Sequence, residues 1–309
     1  MIDKKEKLVV RVNELYHDLA KEDYDSTTNL EMFRQEKERW QKIKNLFKNK
    51  KSITVLDIGT GTGFIPLTIC GFLKKSDQFI CSDISQEMLN LARKKLKIEG
   101  FKCKFRFLKW SKDISMKGNS VDIVTINSVL HHIPNTKYFL NEVNRVLKKN
   151  GLVIIGHEPN IRFKENKYLT FINHLLAILF KPKEEMKYLS VKFGIYEILD
   201  QLSGIFSSKR KRIVYHREII AKKISEVLRK EGLIEKDLSI REVMSLVDYK
   251  TIGFDPFNII PKYRVLHIET YHHLRGFEYS NKKFLKRYSE NLKEYYPLDG
   301  KTFLAIYRK

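Results

Sequence analysis

The chain alternates short apolar runs with longer segments of helical periodicity. Runs at 53–58, 78–83, 104–109, 121–126 and 152–156 are five to six residues long and rich in Val, Ile, Leu and Phe. That length and composition suit strands buried on both faces. Between them, 64–74, 86–97 and 136–148 place apolar residues three and four apart, as amphipathic helices do. Strands alternating with helices predict a parallel sheet with right-handed crossovers. Upstream, 4–22 and 28–50 read as helices, separated by the turn-forming Asp25-Ser26-Thr27. The alternation stops near 160, and 161–262 reads mainly as helix. Period-two patterns return at 263–271 and 302–307, with a helical stretch around 280–296 between them. The expectation is α/β: a doubly wound, Rossmann-like, seven-stranded sheet with a helical insertion. It divides into a helical cap (1–50), an α/β core (51–160), a helical insertion (161–262) and the last two strands completing the core sheet (263–309).

The first predicted strand ends in Asp57-Ile58-Gly59-Thr60-Gly61-Thr62-Gly63-Phe64. Glycine is needed where backbone passes under a ligand or takes φ > 0. The dinucleotide pattern G-x-G-x-x-G fails, because Phe64 occupies its last position. A second acid, Asp83, ends the second strand twenty residues after Gly63, where doubly wound folds place a carboxylate that accepts from ribose hydroxyls.

D-x-G-x-G-x-G followed by Asp83-Ile84-Ser85-Gln86-Glu87-Met88-Leu89-Asn90-Leu91-Ala92 resembles the class I S-adenosylmethionine-dependent methyltransferases. Val124-Thr125-Ile126-Asn127-Ser128-Val129-Leu130-His131-His132-Ile133-Pro134 is similar to the L-H-H-x-P stretch of those that modify ubiquinone and menaquinone precursors. The resemblance covers about 52–158 by motif and 263–309 by topology, where it implies an antiparallel last hairpin at the sheet edge. It implies S-adenosyl-L-methionine as cofactor, held by Asp57, Gly59, Gly61, Gly63, Asp83, Ile84, Met88 and Asn127. The loop after the third strand departs from the family. Trp110 stands where an aspartate usually meets the adenine amino group, with Asp113 three residues on. Either Trp110 stacks on the adenine or the loop is re-registered; Ser111 offers its backbone N–H.

Composition adds three limits. Cys70, Cys81 and Cys103 lie inside apolar patterns without metal-ligand spacing, which suits a reducing compartment and no metal. No signal peptide opens the chain and no run reaches membrane-span length, so the cytoplasm is expected. The net charge of +22 is spread along the chain rather than gathered on one face. Lys209-Arg210-Lys211-Arg212 is its densest cluster, either a solvated loop or a phosphate clamp.

The chemistry expected is in-line methyl transfer to a small-molecule or lipid-like acceptor. Candidates to take an acceptor proton are His131, His132, His157 and Glu158, all leaving strand ends on one rim. Tyr16, Tyr24 and Trp40 either close over the cofactor or pack conventionally, and Tyr271-His272-His273 reads as a core tyrosine beside surface histidines. Tyr168 to Phe180 is apolar almost all round and is expected to roof the pocket; its flanking lysines leave an interfacial helix as the other reading. Nucleic-acid methylation is the alternative that the basic balance suggests, though no N/D-P-P-Y/F tetrapeptide is present. A catalytically silent S-adenosylmethionine-binding subunit is the other.

Overall fold

A computed structural model describes residues 3–21, 30–48, 51–110, 113–180, 208–250, 252–279 and 282–309. Its seven-stranded sheet has the order β3-β2-β1-β4-β5-β7-β6. The strands are β1 (Thr54–Ile58), β2 (Gln78–Asp83), β3 (Lys104–Lys109), β4 (Val121–Asn127), β5 (Leu147–Pro159), β6 (Arg264–Tyr271) and β7 (Thr302–Arg308). β1 to β5 run parallel, and β7 inserts antiparallel between β5 and β6. The chain order reverses between β1 and β4, so a crevice opens at their carboxyl ends.

Period two assigns the two faces. Leu56, Ile58, Val124, Ile126, Val153 and Ile155 pack to one side with helix α5 (Thr136–Val146). Val55, Ile123, Ile154, Leu304 and Ile306 pack to the other with α3 (Phe64–Ile69) and α4 (Gln86–Glu99). Trp40 of α2 (Leu30–Lys42) is fully buried on this second side. Its Nε1–H donates to Asn127 Oδ1 at 3.3 Å, over the β5 residue Gly156. Trp40 is therefore a packing residue. Tyr16 packs among helices, and Tyr24 lies outside the described residues.

β5 runs past its expected end. A register shift between Gly156 and Glu158 lets it continue pairing with β7 as far as Pro159, and His157 at that irregularity has φ +54°. Such an extra residue re-aims the side chains that follow it.

The helices of 161–262 do not form one layer. Helices α6 (Ile161–Glu165) and α7 (Lys167–Phe180) join α10 (Lys283–Tyr295) through Phe163, Leu169, Leu176, Leu285 and Leu292. Helices α8 (Ser208–Lys230) and α9 (Ile240–Val247) instead pack on α1 (Lys4–Ala20) through Val12, Ile220, Ile224, Leu228 and Val243. Lys209 to Arg212 lie within α8 rather than in a loop; their side chains are outside the described set.

Gly156 makes the Trp40–Asn127 junction testable. A Cβ there would meet Asn127 Oδ1 at 2.6 Å and Trp40 Cζ2 at 2.9 Å. Gly156→Ala should therefore cost about 1–3 kcal/mol of stability, read from a shifted urea midpoint with unchanged slope.

Candidate active site

The glycine turn is set by what it sits on. Gly59 and Thr60 donate their N–H groups to Ser82 O, tying the turn to β2. Asp57 is 1% exposed and accepts from Thr60 Oγ1 at 2.8 Å and Thr125 Oγ1 at 2.6 Å. Burial raises its carboxyl to about 7, against those two hydrogen bonds. Asp57 does not line the cavity; the hydroxyls hold it in place beneath the turn. The three glycines differ in what they require. At Gly59 a Cβ would strike Val129 Cγ2. Gly63 caps α3 with φ +100°. Gly61 has φ +55° and open space where its Cβ would stand.

That space belongs to a cavity of about 670 Å³ at the carboxyl edge of β1 and β4. Gly59, Gly61, Asp83, Ile84, Met88, Trp110, Asn127 and His132 all line it. Asp83 is 6% exposed; its carboxylate accepts from the N–H groups of Gly61 at 2.7 Å and Ser85 at 2.9 Å. Burial raises its pKa to about 6 despite these bonds, so further donors from a ligand would be stabilising. Trp110 packs edge-on to Phe139 with centroids 5.4 Å apart, and its buried Nε1–H has no partner. Asp113 accepts instead from the Tyr138 hydroxyl. Ser111 lies outside the described residues.

The roof is not the expected one. It is α1, which brings Val10, Asn13, Glu14 and His17 to the cavity along one helical face, joined by Glu231 and Leu233 from the turn after α8. Polar links fix α1 to the core: Ser85 Oγ donates to Asp18 at 2.5 Å, Lys109 meets Glu14 at 2.6 Å, and Lys21 meets Glu87 at 2.5 Å. Neither Phe171 nor Leu175 of α7 reaches the cavity; they are 64% and 41% exposed. An apolar run read by itself shows that a helix has much surface to bury, not which partner covers it.

The rim candidates separate in space. His132 lines the cavity, whereas His131, His157 and Glu158 do not. Glu158 is fully buried and accepts from the N–H groups of Val129 (2.5 Å), Leu130 (2.7 Å) and His131 (3.3 Å), and from His131 Nδ1 at 2.8 Å. Its oxygens are committed to shaping the turn that carries the histidines. Burial disfavours a charged His131, but the Glu158 carboxylate outweighs it and raises the ring's pKa. His157 turns away to Glu36, 3.4 Å from Nδ1, and its N–H donates to the Tyr271 hydroxyl. Tyr271 is buried, as its pattern suggested, but so are His272 and His273, which were expected at the surface. Thr302 Oγ1 and Tyr296 O bond those two rings.

His132 Nδ1 lies 2.6 Å from Val247 O. A carbonyl only accepts, so Nδ1 carries the proton and Nε2 keeps its lone pair. Burial, then repulsion from His131 and His17, holds this ring's pKa well below the ordinary histidine value. His17, 5.6 Å away centroid to centroid, is pushed down to about 4 for the same leading reason. His131, His132 and Asp248 bring potential metal-donor atoms within 4.8 Å of one another. The Nδ1 atoms of both histidines are already engaged by Glu158 and Val247.

A family model described as a methyltransferase domain matches residues 49–192. Among curated proteins, the demethylmenaquinone methyltransferase of Staphylococcus carnosus is 26% identical over 209 residues, 63% of this chain and 83% of that protein. That of Porphyromonas gingivalis is 27% identical over 173 residues, 54% of this chain and 71% of that protein. This chain carries a methyltransferase domain, and its activity is S-adenosylmethionine-dependent methyl transfer. A solved methyltransferase from Aquifex aeolicus is 29% identical, covering 38% of this chain and 62% of that one, with a TM-score of 0.35.

The methyltransferase's cofactor is S-adenosyl-L-methionine, and the cavity fits it on three counts. Gly61 leaves an open cradle, Asp83 presents a buried carboxylate, and Ile84 and Met88 stand beside it for an adenine ring. Asn13 and His17 escaped the sequence reading, although their four-residue spacing on α1 was the signal available. Asn13 is 4% exposed, donates to Leu246 O, and leaves its buried Oδ1 without a partner.

Two substitutions separate holding the cofactor from holding the turn. Asp83→Ala should weaken S-adenosylhomocysteine binding roughly ten- to a hundredfold by calorimetry, through loss of about 1.5–3 kcal/mol. Glu158→Ala should lower unfolding free energy by about 3–5 kcal/mol, because it strands His131 and three buried N–H groups.

Proposed function

We propose that this methyltransferase acts on a small, largely apolar acceptor bound between the cofactor wall and α1. The observation that carries this reading is the continuity of the cavity. The motif residues Gly61, Asp83 and Asn127 share it with an apolar lobe of Trp110, Ile133 and Phe139 under an α-helical roof. Small-molecule sites have this character, mostly apolar with a few placed polar groups. The similarity to demethylmenaquinone methyltransferases supports a ring-bearing acceptor. The same roof argues against a nucleic-acid duplex, which needs an open basic surface.

S-adenosylmethionine, when bound, supplies a sulfonium methyl for in-line displacement. The chain's own contribution is mainly positioning and exclusion of water. Asp83 would accept from ribose hydroxyls, and Asn127 would border the methionyl end. His132 Nε2 is the proposed acceptor of the nucleophile's proton. Its tautomer is fixed by Val247, and its depressed pKa keeps the lone pair free. Nε2 would take the proton that the acceptor gives up on methylation, and its neutral form leaves a lone pair to receive it. Asn13 Oδ1 would accept a hydrogen bond from a hydroxyl or N–H on the acceptor.

His132→Ala should lower kcat roughly 10²–10⁴-fold while S-adenosylhomocysteine affinity changes little. A neutral His132 is the active form, and its folded pKa lies below the ordinary value. Turnover should therefore stay flat as pH falls through the ordinary histidine range and decline only in more acid solution. Steady-state kinetics with hydroxylated naphthoquinol acceptors test both. Unchanged turnover in the His132 variant would remove the base and leave positioning alone.

A further inference from the structure

The surface that α7 turns to solvent has no part in the site. Leu169, Ile172 and Leu176 supply its inner face, against Leu285, Leu292 and Leu274. Its outer face carries Tyr168, Phe171, Leu175, Ile178 and Leu179, at 45%, 64%, 41%, 55% and 61% exposure. Their spacings of three and four residues put them on one stripe. Single exposed apolar residues are ordinary, but five large ones within about three helical turns form a patch that needs an occupant. Helix α10 runs beside it, with the Tyr168 and Tyr288 hydroxyls 2.8 Å apart, and adds Phe284 at 57% exposure.

Charge decides what kind of occupant. Helix α7 contains no acidic residue. Exposed Lys164 and Lys167 stand at its start, and exposed Lys282, Lys283 and Lys286 at the start of α10. A protein of net charge +22 with an apolar stripe bordered by ammonium groups is complementary to a negatively charged bilayer surface. No described helix is long and apolar enough to cross a membrane, which leaves lying in the interface as the geometry available to α7. We propose that α7 docks this methyltransferase onto an anionic lipid surface, with Phe171, Leu175 and Ile178 entering the headgroup boundary and the lysines facing the lipid phosphates.

Vesicle sedimentation tests this with the full chain. The wild type should bind phosphatidylglycerol-containing vesicles at least about tenfold more tightly than pure phosphatidylcholine ones, and less tightly in high salt. Phe171→Glu combined with Ile178→Glu should lower that binding at least about tenfold. S-adenosylhomocysteine affinity in the same variant should be unchanged, which shows that it is folded and keeps this test independent of the acceptor assignment. Absence of wild-type binding to anionic vesicles would overturn the proposal. So would equal binding by the variant. A dimer in light scattering that Phe171→Glu dissolves, without vesicle binding, would reassign the face to a second copy of the chain.

Discussion

The buried carboxylate of Glu158 is the interaction on which the site depends. A fully buried acid is costly unless hydrogen bonds surround it. Here three consecutive N–H groups and the His131 ring supply them. That arrangement fixes the turn following β4 and decides which way the two histidines point. It also reaches the helical insertion, because Lys250 N donates to His131 O and His132 Nδ1 donates to Val247 O at the end of α9. One side chain, delivered by the irregularity at His157, thus connects the sheet, the cavity wall and the helices that roof it.

The site divides its acids by use. Asp57 is enclosed by two threonine hydroxyls and serves the turn's geometry. Asp83 meets two N–H groups but stays on the cavity wall, where burial first, and repulsion from Asp18 after it, raise its pKa. The histidines divide similarly. His131 is drawn toward the charged form by Glu158, whereas burial first, and repulsion from His131 after it, keep His132 and His17 neutral. Two neighbouring imidazoles with opposed pKa shifts are what environment alone produces from identical side chains.

The roof and the sheet come from distant parts of the chain. Helix α1 is held over the glycine turn by Asp18, Glu14 and Lys21 and from behind by α8 and α9. The cavity therefore joins a wall built from β1, β2 and β4 to a roof assembled from α1 and the turn after α8.

The sequence by itself determined the sheet, its crossovers and the cofactor wall. Buried strands declare themselves by short apolar runs, and a turn under a ligand declares itself by glycine, so the strands and the glycine turn of 52–158 were legible. Gly61, Asp83, Ile84, Met88, Trp110, Asn127 and His132 line one cavity. Tertiary structure decided the rest. The β5 irregularity turned Glu158 from a rim acid into an interior one, and no local pattern announces a one-residue slip in a strand. Asn13 and His17 joined the site because α1 folds back over it, a fact carried by contacts some 70 to 230 residues away in sequence. Helix α7 was expected as a roof and became an outer layer. Periodicity specifies how much of a helix is apolar, but only packing against α10 decided which half would be covered.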